Sequence, residues 1–135
     1  MNNKKHIDIY KTIYNLDIVV ANKYVTMKDL NKTYKYIDDS DLTEDDNSNI
    51  ATTYLCKNRN TNDSCILVKY HRDYKNKNIN KRLELVDTAS HEAIHVVMAI
   101  YDFIEEKIYP ADNNELLAYL TGWVTKCIYD TWTKK

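Results

Sequence analysis

The 135-residue sequence predicts a single-domain α+β fold, and three observations carry that prediction. Runs rich in Ile, Val, Thr and Tyr are confined to the first 70 or so residues. From Leu83 onward the apolar residues recur every three or four positions, which is the helical period. Only 1 Gly and 1 Pro are present, so turns must be carried by Asn and Asp, which tolerate left-handed backbone better than other side-chain-bearing residues.

Taken in order, Ile7 to Ala21 (IDIYKTIYNLDIVVA) reads as two short strands around a turn near Asn15, although its spacing also allows a helix over Ile7 to Tyr14. Thr26 fits an N-cap for a helix carrying Met27, Leu30, Tyr34 and Ile37. Residues 38–49 (DDSDLTEDDNSN) hold six acidic groups and no basic one and read as a solvated loop; the glycine and terminal Glu of a calcium loop are missing. Ile50 to Lys57 and Ser64 to Tyr70, separated by NRNTND, form the best hairpin candidate. The basic stretch Lys69 to Arg82 leads into a long helix from about Leu83 to Ile108. Its expected buried stripe is Val86, Ala89, Ala93, Val96, Val97, Ile100, Phe103 and Ile104, with Pro110 marking its end. A last helix from about Asn113 to Trp132 is expected to bury Leu116, Leu117, Leu120, Val124, Cys127 and Ile128, with Asp112 or Asn113 as cap.

The formal net charge of −1 offers no general attraction for nucleic acid or membranes. Three cysteines, Cys56, Cys65 and Cys127, are an odd and sparse set that suits a reducing compartment, and Cys56 and Cys65 fall where a hairpin would place them opposite each other. No signal-peptide core and no run of 18 apolar residues is found, so the expectation is a soluble protein that is not exported by a signal peptide.

Within the long helix lies His91-Glu92-Ala93-Ile94-His95. With 4 histidines in the chain, composition alone would produce H-E-x-x-H in about half a percent of such sequences. Residues i and i+4 share a helix face, so both imidazoles can reach one zinc ion, with Glu92 beside them as general base. A hydrolytic zinc site needs a third protein ligand and an open position. Asp102 is roughly 10 Å further along the same helix axis and cannot supply it. Glu115 can, if the next helix folds back, although Asp112 to Glu115 also has the spacing of a capping box. The mid-helix Gly122, on one stripe with Glu115 and Tyr119, suggests a close approach to the histidine helix. Tyr119, Tyr109, Tyr101 and His71 are the candidate oxyanion donors. Cys56, Cys65 and His71 lack the spacing of a second zinc site.

HEAIH followed by NNELLAY resembles the H-E-x-x-H…E pattern of gluzincin-type zinc metallopeptidases. The stretch from Ser90 to Trp123 is similar to that of small zincin-like proteins encoded by bacteriophages and prophages. That resemblance implies a zincin-like fold: a small N-terminal β-sheet with one helix, then an antiparallel pair of long helices. It implies a zinc ion held by His91, His95 and Glu115, and Glu92 as base in hydrolysis of a peptide or amide bond. The partner it implies is a peptide or protein substrate, paired with a sheet edge as in zincins generally, in a host cytoplasm or a phage virion. The other reading is a non-catalytic phage protein, a virion component or a binder of a host factor, whose zinc site is structural or vestigial.

Overall fold

Two hairpins join through their inner strands to make one sheet. In the computed structural model, which describes residues 3–108 and 114–135, strands β1 (Ile7–Lys11) and β2 (Asp17–Ala21) are antiparallel, as are β4 (Ala51–Asn58) and β5 (Ser64–Tyr70). β2 lies parallel to β5, and β3 (Tyr34–Tyr36) pairs antiparallel with β4, giving the order β1-β2-β5-β4-β3. Both expected hairpins are present, and Asn15 takes the left-handed backbone conformation that its turn requires (φ 57°). Asp17-Ile-Val-Val-Ala and Ser64-Cys-Ile-Leu-Val form the two central strands, covered on both faces, which explains why they read as continuous apolar runs rather than alternating ones.

One face of the sheet carries helices α2 (Lys81–Phe103) and α3 (Glu115–Thr133), packed on Ile18, Val20, Ile66, Val68 and Tyr70. The other face buries Val19, Ala21, Cys56, Cys65 and Leu67 under Met27 and Leu30 of the short helix α1 (Met27–Asn31) and under Leu42. Thr26 caps α1 in a full capping box with Asp29. The helix stops at Asn31, six residues before the expected stripe would end at Ile37. Tyr34 and Tyr36 enter β3 instead, because β4 offers an edge, and Arg59 holds that pairing through its backbone N–H on Thr33 O (2.7 Å) and its Nε on Tyr34 O (3.0 Å).

Residues 38–49 form the expected solvated loop, exposed except at Leu42 and Asp45, and it is tied down at several points. Asn31 clamps Leu42 with two side-chain hydrogen bonds (2.7 and 2.8 Å), Glu44 accepts from the Met27 N–H (2.7 Å), and Arg59 and Arg72 pair with Asp41 and Asp45. The acidic charge thus serves as acceptors for neighbouring backbone and arginines. Cys56 and Cys65 do lie opposite each other, both buried and both free, with burial pushing each thiol up to about 12.

Helix α2 begins at Lys81, two residues earlier than expected, with the Asn80 side chain accepting from the Leu83 N–H. Its buried side is Leu85, Ala89, Glu92, Ala93, Val96, Val97, Ile100 and Tyr101; Val86 and Phe103, expected inside, are exposed. The stripe is rotated by about one residue, toward the side that buries Glu92. In α3, Val124, Cys127 and Ile128 are buried as expected, while Leu117 and Leu120 are partly covered and Leu116 is exposed. Helix α2 ends at Phe103, five residues short of the expected Ile108, and Glu105 just beyond it takes a left-handed backbone conformation (φ 57°); the expected stop Pro110 and the caps Asp112 and Asn113 lie outside the described residues.

Gly122 does not mark a close approach, since a Cβ built on it meets no atom within 4 Å. Gly122→Ala is therefore expected to stabilise the fold by about 1 kcal/mol, read as a raised denaturation midpoint at unchanged denaturant slope.

Candidate metal centre

The alternation along β4 sets one wall of the site. Hydrogen bonds at the two ends of the hairpin, His71 N–H to Ile50 O (2.7 Å) and Asn58 N–H to Asp63 O (2.9 Å), fix its phase. The backbones of Thr52, Tyr54 and Cys56 therefore turn toward β5, and those of Ala51, Thr53 and Leu55 turn outward. β3 reaches this outer edge only as far as Leu55, whose carbonyl accepts from the Ile37 N–H (3.2 Å). Beyond that point, Ala51 and Thr53 present a strand edge with no pairing partner among the described residues. The side chain of Thr53 points to the helix face, where it meets α2.

α2 forms the opposite wall. His91 and His95, one turn apart, turn their Nε2 atoms to within 3.3 Å of each other. Glu92, only 4% exposed, accepts a hydrogen bond from Thr53 Oγ1 at Oε1 (3.0 Å), and its Oε2 lies 3.8 Å from His91 Nε2. Ligand atoms of His91, Glu92 and His95 fall within 4.8 Å of one another, the one such His/Cys/Asp/Glu group among the described residues. Between the walls runs an open cleft of about 480 Å³ lined by Asn49, Thr53, Tyr54, His91, Glu92 and His95, among others.

The chemistry of this donor set fits a divalent cation. A buried carboxylate normally has a Lys or Arg partner, because desolvating the charge costs several kcal/mol. Glu92 has no Lys or Arg within ion-pairing distance among the described residues; its polar side-chain neighbours are one hydroxyl and an exposed imidazole. Packing alone would favour an apolar residue here, as at Ala89 and Ala93 on the same buried side. Two imidazoles aimed at one point beside that carboxylate supply two donors of a zinc site.

Glu115 is not part of this group. It is the first residue of α3, exposed to solvent, and α3 packs along α2 and over β1 and β2, whereas the histidine pair faces β4. The structure thus brings together His91, Glu92 and His95 and leaves Glu115 apart. None of the expected oxyanion donors that fall among the described residues lines the cleft. Tyr119 is exposed on α3, Tyr101 is buried, and Tyr109 lies outside the described residues. His71 accepts or donates at Nε2 with Thr52 Oγ1 (3.0 Å), and burial followed by the Lys69 charge holds it neutral, down to about 4. The sequence reading missed Thr53 and Tyr54, both on the cleft wall; extending the strand alternation back from Lys57 would have placed Thr53 on the helix side.

No protein-family model, no curated protein and no solved structure matches the chain. No described helix is long and apolar enough to cross a membrane.

Proposed function

We propose that this chain is a zinc-dependent hydrolase of zincin-like type that cleaves a peptide bond. His91 and His95 supply two ligands to the metal and Glu92 is the general base; the third protein ligand that a hydrolytic site needs is not among the described residues that converge here. The observation that carries the reading is the buried Glu92 carboxylate, which has one hydroxyl donor and two convergent imidazoles beside it. Zinc bound there lowers the pKa of water to about 7 and polarises a carbonyl. Thr53 fixes Oε1 of Glu92, leaving Oε2 as the oxygen that turns toward the histidines and takes a proton from an attacking water. The outward N–H and C=O groups of Ala51 and Thr53 offer an extended peptide a strand to pair with.

A second reading has its own support. Because Glu92 belongs to the same convergent group as the histidines, it can serve as third ligand of a structural site in a non-catalytic protein, of the kind that binds a host factor or forms part of a virion.

Metal binding and metal removal test both. The purified protein is expected to take up about one zinc per chain, and His91→Ala or His95→Ala to weaken that binding by at least about 100-fold. Glu115→Ala is expected to leave zinc affinity unchanged in the arrangement described; a loss as large as that of a histidine would restore Glu115 as ligand and require α3 to shift on metal binding. Cleavage of an unfolded protein mixture should vanish with a chelator and return with added zinc. Zinc uptake without any cleavage would favour the structural reading.

A further inference from the structure

A second cavity adjoins the cleft, and the two share Leu55 and Ala99 as lining. We propose that this cavity is a side-chain subsite, and that the substrate is an extended peptide carrying a large apolar side chain next to the bond cleaved. The inference rests on the hydrolase reading for its chemistry but on separate residues for its recognition.

The subsite follows from the periods of the two walls. On α2, His91, His95, Ala99 and Phe103 recur every four residues and form one ridge facing β4. The ridge passes from two imidazoles to a methyl group to an aromatic ring. On β4, Thr53 and Leu55 are two residues apart and share the helix-facing side, so the wall changes over about 7 Å from a hydroxyl to an isobutyl group. Each wall therefore turns from polar to apolar at the same level. Past that level lies a cavity of about 190 Å³ lined by Leu16, Ile37, Leu55, Ala99 and Phe103, with Asp102 among its polar members.

Three large apolar side chains around this cavity are left substantially in water: Ile37, Leu55 and Phe103 are 45%, 52% and 50% exposed. One exposed apolar residue means little, but three converging on one concavity beside a candidate metal centre mark a binding surface. The main chain of a bound peptide cannot continue along β4 past Leu55, because the Ile37 N–H already occupies that carbonyl. What can pass between Leu55 and Ala99 is a side chain. The small size of Ala99 matters, since a longer residue there would fill the junction. The Asp102 carboxylate disfavours an acidic side chain in the cavity.

The test is an amide-resolved NMR titration of the zinc-loaded protein with N-acetyl-phenylalanine amide and, separately, N-acetyl-aspartate amide. The phenylalanine compound should shift Leu55, Ala99 and Phe103, and the aspartate compound should not. Ala99→Leu should remove the response at unchanged zinc affinity, and Phe103→Ala, at an exposed position, should weaken it without disturbing the fold. Equal responses to both compounds, a response located elsewhere, or none at all would overturn the proposal. In a peptide-library digest, wild type should favour apolar residues beside the cleaved bond by at least about 10-fold over acidic ones, and Ala99→Leu should lose that preference. Cleavage without apolar preference would remove the subsite and leave the hydrolase; selective binding without cleavage would keep the subsite and remove the hydrolase.

Discussion

Replacing Glu92 by Gln is expected to leave about one zinc per chain and to lower peptide hydrolysis by about 10²–10⁴-fold, the usual worth of a positioned general base. Replacing it by Leu should abolish hydrolysis equally and, in the metal-free protein, raise stability by about 2 kcal/mol. The two outcomes share one cause. Glu92 sits on the buried side of α2 between Ala89 and Ala93, with Thr53 Oγ1 as its sole side-chain hydrogen-bond donor among the described residues. Without a cation, its desolvated charge is uncompensated, and a Leu of similar bulk removes that cost while retaining contact with β4. Melting curves of the metal-free proteins check this: Glu92→Leu should melt several degrees above wild type, and saturating zinc should narrow the gap by stabilising the wild type alone. A lower melting temperature for metal-free Glu92→Leu would show that the carboxylate is needed for the fold. A Glu92→Gln protein that no longer binds zinc would make Glu92 a ligand and support the structural reading.

The elements legible in the sequence were those whose local chemistry agrees with their tertiary setting. Asn15 at the first turn, Thr26 at the α1 cap, and the Cys56–Cys65 register are all set by residues close to one another in the chain. Tyr34 shows the opposite case: its spacing continues a helix, but pairing with Asn58, far along the chain, draws it into a strand. The same limit applies to the site. His91, Glu92 and His95 lie within one turn and a quarter of helix, so their convergence is a property of local geometry. Thr53 is 39 residues away from Glu92 and reaches it only because the sheet places β4 beneath α2. Glu115 failed to join for a related reason: helical spacing fixes which residues share a face of α3, but not which flank of α2 that helix occupies.

Lys69→Met is expected to change how stability varies with alkali, and the sign follows from burial. Lys69 is 2% exposed in β5, its Nζ donating to the carbonyls of Asn22 (3.1 Å) and Tyr70, with no carboxylate in ion-pair contact among the described residues. Burial penalises the charged form and lowers the ammonium to about 8, with Glu44 partly offsetting the effect. In the unfolded chain the same group titrates near 10.4. Between those values the unfolded state holds more protons than the folded one, so this lysine's contribution to stability rises with pH. Below about pH 8 both states are charged and the burial cost is fully present; above about pH 10.4 both are neutral and it is gone. The difference in unfolding free energy between wild type and Lys69→Met should therefore move in favour of wild type by on the order of 3 kcal/mol across that window. Taking the difference cancels the tyrosines and cysteines that both proteins titrate. Denaturant unfolding at half-unit pH steps reads it directly, and a flat difference would mean that Lys69 folds with its ammonium fully compensated. If the slope appears, the two carbonyls that Lys69 holds accept from a neutral amine at high pH, and the junction of β2 and β5 tightens with alkali while the metal centre, on the other face of the sheet, is untouched.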